Sequence, residues 1–99
     1  MPERGEGMNA KAKGSRNEHR SMAILEASGY RCTRSAASLG EWDIVGVSAD
    51  GFILCQVKSR DWPSVEEMET LRAFRVPANC RKLIHRWRDR VRLPDVREL

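Results

Sequence analysis

Residues Glu41–Lys58, EWDIVGVSADGFILCQVK, decide the fold. Two runs of alternating, mostly aliphatic and β-branched residues flank Asp50-Gly51, a dipeptide that tolerates positive φ, so the stretch reads as a β-hairpin. With Asp50 and Gly51 as the central turn residues, Ala49 meets Phe52, Val47 meets Leu54, Val45 meets Gln56 and Asp43 meets Lys58. Opposed residues share a face. One face carries Asp43, Val45, Val47, Leu54, Gln56 and Lys58, and the other Ile44, Ile53, Cys55 and Val57. Both faces are mostly apolar, so the sheet is expected to be covered on both sides. Its open end then sets an acid, an amide and an amine at the rim of a buried sheet, where each needs a partner.

Two readings of that rim are open. In one, Asp43 and Lys58 form an ion pair at a strand end and Gln56 bonds to a loop. In the other, the carboxylate and the amide oxygen hold Mg²⁺ or Mn²⁺, hard cations that favour oxygen ligands. A lysine beside such an ion would orient or help deprotonate an attacking water and offset charge on a phosphate.

The order acid, spacer, acid-or-amide, any residue, lysine resembles the PD-(D/E)XK nuclease superfamily, with Trp42-Asp43 in place of Pro-Asp and Gln56-Val57-Lys58 in place of Glu-X-Lys. Together with Glu18 on an upstream helix and Ser38-Leu39-Gly40 before the first acid, the layout from Gly14 to about Trp87 is similar to the archaeal-type Holliday junction resolvases and their phage and bacterial relatives. The resemblance implies an α/β, restriction-endonuclease-like αβββαβ core with a mixed central sheet flanked by helices. It implies a Mg²⁺- or Mn²⁺-dependent DNA endonuclease acting on four-way junctions or other branched DNA. Asp43, the side-chain carbonyl of Gln56 and the backbone carbonyl of Val57 would hold the metal, with Glu18 on a metal water or a second ion. Lys58 would activate the water, and Ser38 would contact the scissile phosphate or the metal water. Two matched cuts call for a twofold homodimer. Gln56 departs from the usual glutamate: its neutral oxygen should bind metal more weakly. That leaves open a catalytically weak or inactive DNA-binding or assembly module, or a restriction- or repair-type nuclease with another substrate.

A chain of 99 residues suits a single domain, here residues 14–99 behind a flexible basic arm of residues 1–13, and a core this small would gain from dimerisation. The net charge is +4, and arginines gather at Arg16, Arg20, Arg31 and Arg34 and again from Arg81 to Arg97. Their planar forks suit phosphate oxygens, so nucleic acid is the expected partner, with Ser35 and Arg60 as further candidate contacts. The three cysteines are scattered and lack metal-ligand spacing; Cys32 and Cys55 read as small core residues in a reducing cytoplasm. No apolar run suits a signal peptide or membrane span, and a soluble intracellular protein is expected, whether encoded by a cell or by a phage acting inside its host.

In chain order, Ser15–Ser28 reads as a helix closed by Gly29. Glu18 has two readings, a capping box with Ser15 or a place on the sheet-facing side with Met22 and Leu25. Tyr30–Arg34 reads as a strand and Ser35–Gly40 as a loop. Ser64 and Glu67 have capping-box spacing, opening a helix whose Val65, Met68, Leu71 and Phe74 form a buried stripe. Trp62 either seals the edge of the core or stacks on a base. Arg81–Arg88 reads as a strand in which His85 is structural, and Val91–Val96 as a last strand returning through Asp89-Arg90.

Overall fold

The expected hairpin forms as β2 (Ile44–Ser48) and β3 (Gly51–Ser59) in the computed structural model, which describes residues 2–35 and 40–99, with side chains from residue 14 onward. Its turn lies one residue earlier than the dipeptide suggests. Ser48 pairs with Gly51, Val47 with Phe52, Val45 with Leu54 and Ile44 with Cys55, leaving Ala49 and Asp50 as the central residues. Neither of these has positive φ, whereas Gly51 has φ 146°. A Cβ on Gly51 would collide with the backbone carbonyl oxygen of Asn79. The glycine therefore serves a close backbone approach rather than the turn. Each residue's partner shifts by two, and since side chains alternate with period two, the faces are as expected. The pairing ends at Ile44 and Cys55: the Asp43 amide donates to the Cys55 carbonyl, so Asp43 does not continue the ladder and the expected pairing with Lys58 does not form.

β1 (Arg31–Arg34) pairs antiparallel with β2, β4 (Cys80–Trp87) pairs parallel with β3, and β5 (Asp95–Glu98) closes the far edge antiparallel to β4. The result is a mixed five-stranded sheet in the order β1-β2-β3-β4-β5, the α/β architecture expected. A parallel pair requires a crossover, here through α2 (Val65–Ala73). α1 (Pro2–Ala27) contacts β1, β2 and β3. Leu25 of α1 packs with Ile44, Ile53, Cys55 and Leu83 on one face, and Met68 and Leu71 of α2 pack with Trp42, Leu54 and Ile84 on the other. Among the described residues no helix is long and apolar enough to cross a membrane.

Several local expectations change. α1 starts at Pro2 and takes in the segment read as an arm, so Ser15 lies inside the helix and cannot be its N-cap. Gly29, with φ 104°, ends it as expected. The α2 capping box forms, with the Glu67 amide donating to Ser64 Oγ at 3.1 Å and the Ser64 amide to Glu67 Oε1 at 3.0 Å. Val65 is 77 % exposed, and Pro63 is buried beside it. Phe74, the C-cap, meets Trp42 edge-on at 5.8 Å. The last strand starts at Asp95 because Pro94 has no N–H to give to the ladder.

Two buried polar arrangements lock the helices to β4. Lys82 Nζ donates to the carbonyls of Leu71, Arg72 and Phe74, each at 2.8 Å, capping the C-terminal end of α2 with a charge of favourable sign. On the other face, Ser21 Oγ accepts from Trp87 Nε1 at 2.8 Å and shares a 2.9 Å hydrogen bond with His85 Nδ1. Burial lowers the His85 pKa to about 4 from an ordinary 6.5. Between these values the unfolded chain binds a proton that the folded chain refuses. Stability from this group is therefore complete above pH 6.5 and is lost as pH falls toward 4, by up to about 3 kcal/mol. Urea midpoints at about pH 7 and about pH 4.5 should differ less for His85→Gln than for the unaltered chain.

Candidate metal centre

Asp43 sits just before β2 and is held from several directions. Its amide donates to the Cys55 carbonyl at 2.9 Å, and its own carbonyl accepts from the Ser35 amide at 2.8 Å. The side chain reaches across to β3, where Oδ2 accepts from the Val57 amide at 2.7 Å. Oδ1 receives no donor among the described residues. Burial pushes the Asp43 pKa above the usual carboxylate range; the Val57 N–H opposes this, Glu18 adds to it, and Lys58 and Arg34 pull it down. Glu18 and Lys58 therefore each lie within electrostatic reach of Asp43.

Gln56, between the Cys55 and Val57 backbone groups that bind Asp43, is 5 % exposed, and among the described residues nothing donates to its buried Oε1. Leaving a buried acceptor unsatisfied costs about 1–3 kcal/mol, so this oxygen calls for a donor or a cation from outside the described residues. The alternation of β3 puts Lys58 on the same side as Gln56. Lys58 does not take Asp43 as its ion-pair partner: Nζ stands 3.7 Å from Glu67 Oε2, while Glu67 Oε1 is engaged in the α2 cap. The capping-box spacing marks Glu67 as an N-terminal helix residue. Its approach to Lys58 depends on how the chain turns after β3.

Glu18 comes from α1, as the sheet-facing reading requires, and its Oε1 accepts from Arg34 Nε at 2.9 Å and from the terminal guanidinium nitrogen at 2.7 Å. Although its side chain is 42 % exposed, Arg34 is thus engaged within the chain. So is Arg20, which lies 3.9 Å over the Trp87 ring and donates to the Val91 carbonyl at 2.6 Å. Both arginines, expected to grip phosphate, thus also have partners within the chain. Arg16, Arg31 and Arg60 are exposed. Ser35 Oγ is buried with no partner among the described residues. Ser38 lies outside the described residues. Trp62 is flanked by Arg86 at 4.7 Å and Arg97 at 4.3 Å and packs on the core beside α2, which favours the edge-sealing reading. Asn17, not singled out by sequence reasoning, is 4 % exposed and ties α1 to the end of β3 through Ser59 Oγ at 3.0 Å.

Among the described residues no group of three or more His, Cys, Asp or Glu could hold a metal ion. The potential oxygen donors at this rim are Asp43 Oδ1, Gln56 Oε1 and the Val57 carbonyl, with Glu18 nearby. A half-buried carboxylate and a buried amide oxygen, the amide oxygen and the second carboxylate oxygen having no donor among the described residues, fit a hard divalent cation better than a soft one.

No family model and no curated protein matches the chain. Among solved structures, it is similar to Hjc of Archaeoglobus fulgidus, described as a Holliday junction resolvase from an archaeal hyperthermophile, with a TM-score of 0.63 and 23 % identity over 88 % of this chain and 71 % of that one. At that identity the likeness establishes a shared α/β fold.

Proposed function

We propose that this chain is a Mg²⁺- or Mn²⁺-dependent DNA endonuclease that acts inside cells, as a homodimer, on four-way junctions or related branched DNA. The observation that carries the proposal is the buried Gln56 Oε1, without a donor among the described residues, one residue before the Val57 amide that binds Asp43, a carboxylate held above its ordinary pKa by burial. The fold shared with a resolvase supports it. Asp43, Gln56 and the Val57 carbonyl would hold the ion, and Glu18 would contribute through a water or to a second ion. When bound, the ion supplies Lewis acidity toward a phosphate oxygen and toward water. Asp43 is oriented for its task by the Val57 N–H, which fixes Oδ2 and leaves Oδ1 available. Lys58 would orient the attacking water and offset negative charge building on the phosphate. Glu67 helps restrain the Lys58 ammonium group. Ser38 would contact the phosphate from the loop before β2.

Incubation of a labelled four-way junction with and without Mg²⁺ or Mn²⁺ tests the reading. Metal-dependent strand scission is expected. Lys58→Ala should reduce its rate by about 10²-fold or more while junction affinity changes only a few-fold. One observation favours a second reading: the amide at position 56 leaves the donor set poor in negative charge. Salt-sensitive junction binding without scission at any metal concentration would identify a DNA-binding module that retains the fold without the chemistry.

A further inference from the structure

The parallel pairing of β3 and β4 brings two arginine-bearing connections to one end of the sheet. Their last rung joins Ser59 to Trp87, and the Arg60 amide donates to the Trp87 carbonyl at 2.8 Å. Residues 60–64 and 88–94 therefore leave the sheet side by side. Lys58 lies at this end, and Asn17 anchors α1 here through Ser59. Arg60, Arg88, Arg90 and Arg92 are all exposed. Arg88 is engaged by Asp95 at 3.1 Å, but among the described residues no carboxylate forms an ion pair with Arg60, Arg90 or Arg92. The acids in these connections are Asp61 and Asp89, and Asp95, at the start of β5, already serves both Arg86 and Arg88.

The backbone adds a second observation. Among the described residues, Arg60 and Arg90 are the non-glycine positions with positive φ, at 79° and 62°. That region favours Gly or Asn, so arginine stands where local propensity favours another residue. The connection after β4 is also pre-positioned: Arg20 stacks on Trp87 and donates to the Val91 carbonyl, fixing the chain between Arg90 and Arg92. Arg20 and Arg34, the sequence's own phosphate candidates, thus already have partners within the chain, whereas among the described residues no carboxylate pairs with Arg60, Arg90 or Arg92.

We infer that Arg60, Arg90 and Arg92 form a phosphate-binding ledge that holds the DNA duplex leading away from the candidate metal centre. The ledge's role beside that centre rests on the nuclease reading, but its binding of duplex phosphate is measurable without chemistry. The test is equilibrium binding of a labelled four-way junction and a plain duplex, in EDTA, across a range of salt. The variant combines Arg60→Asn, Arg90→Asn and Arg92→Gln; asparagine accepts left-handed backbone, so the melting temperature should be retained. Each lost phosphate contact lowers the slope of log K against log salt by about 0.9, so the slope should fall by roughly 2.7 and low-salt affinity by about tenfold or more.

Arg72→Gln with Arg75→Gln, which removes like charge at the other end of α2, should leave the slope unchanged. If the triple variant fails to fold, Arg92→Gln alone should lower the slope by about 0.9. An unchanged slope, an equal loss in the Arg72/Arg75 control, or no salt-dependent DNA binding by the unaltered chain would overturn the ledge. A normal slope change in a protein that never cleaves would support the ledge and refute the nuclease chemistry. Normal cleavage with an unchanged slope would do the reverse.

Discussion

Asp43→Asn should remove metal-dependent cleavage, lowering the rate by about 10³-fold or more, without unfolding the protein. Asparagine keeps an oxygen that can accept from the Val57 amide, so the contact bracing the start of β2 survives. The negative charge that would attract a divalent cation does not. Because burial holds the Asp43 pKa above its ordinary 3.8, the ionised form carries a desolvation cost at neutral pH that asparagine relieves. The metal-free variant should therefore melt no lower than the unaltered chain. Mg²⁺ or Mn²⁺ should raise the melting temperature of the unaltered chain by mass action and leave that of the variant in place.

The sign with pH follows from the raised value. Between 3.8 and the folded pKa, the folded chain holds more protons than the unfolded chain, so protonation of Asp43 favours the metal-free fold as pH falls. The same proton competes with the cation. The metal-induced rise in melting temperature should accordingly fade at a higher pH than an exposed aspartate would dictate. Undiminished cleavage by Asp43→Asn would remove Asp43 from the site.

Gly51→Ala should be among the most damaging single-methyl changes in the chain, costing on the order of 3 kcal/mol. At φ 146° an L side chain is strained, and its Cβ would strike the Asn79 carbonyl oxygen, which is backbone and cannot rotate away. That carbonyl accepts the Phe52 amide at 2.9 Å, the contact beginning the alignment of β3 with β4. Relief would require separating the parallel pair at its first rung. For a domain of this size the melting temperature should fall by roughly 10–20 °C. Ala49→Gly, in the adjacent turn, is the comparison and should change it by only a few degrees. Equal melting temperatures for Gly51→Ala and the unaltered chain would show that β3 and Asn79 do not approach so closely.

Local periodicity made much of this protein readable. Alternation in Glu41–Lys58 identified the hairpin and its two apolar faces, because the side-chain period of a strand is independent of its exact register. The Ser64/Glu67 spacing identified the start of α2, because a capping box closes within one turn. Gly29 marked the end of α1 for the same local reason. The turn was misplaced because Asp50-Gly51 fits a tight hairpin, whereas the real demand on Gly51 comes from Asn79, distant in sequence.

The candidate site divides along the same line. Asp43, Gln56 and Lys58 could be nominated from their order and faces. That Gln56 Oε1 lacks a donor among the described residues, that Asp43 Oδ2 is fixed by Val57, and that Lys58 meets Glu67 are consequences of packing. Equally, no pattern in the sequence separates Arg20 from Arg90. One is drawn inward by Trp87 and the Val91 carbonyl, and the other is left exposed where two parallel strands end together. Short-range hydrogen bonding and side-chain alternation are written residue by residue, so the chain alone specified its strands, caps and apolar faces. Which charges are neutralised and which stay available depends on groups brought together by the crossover and the two helices, and that only the tertiary fold could decide.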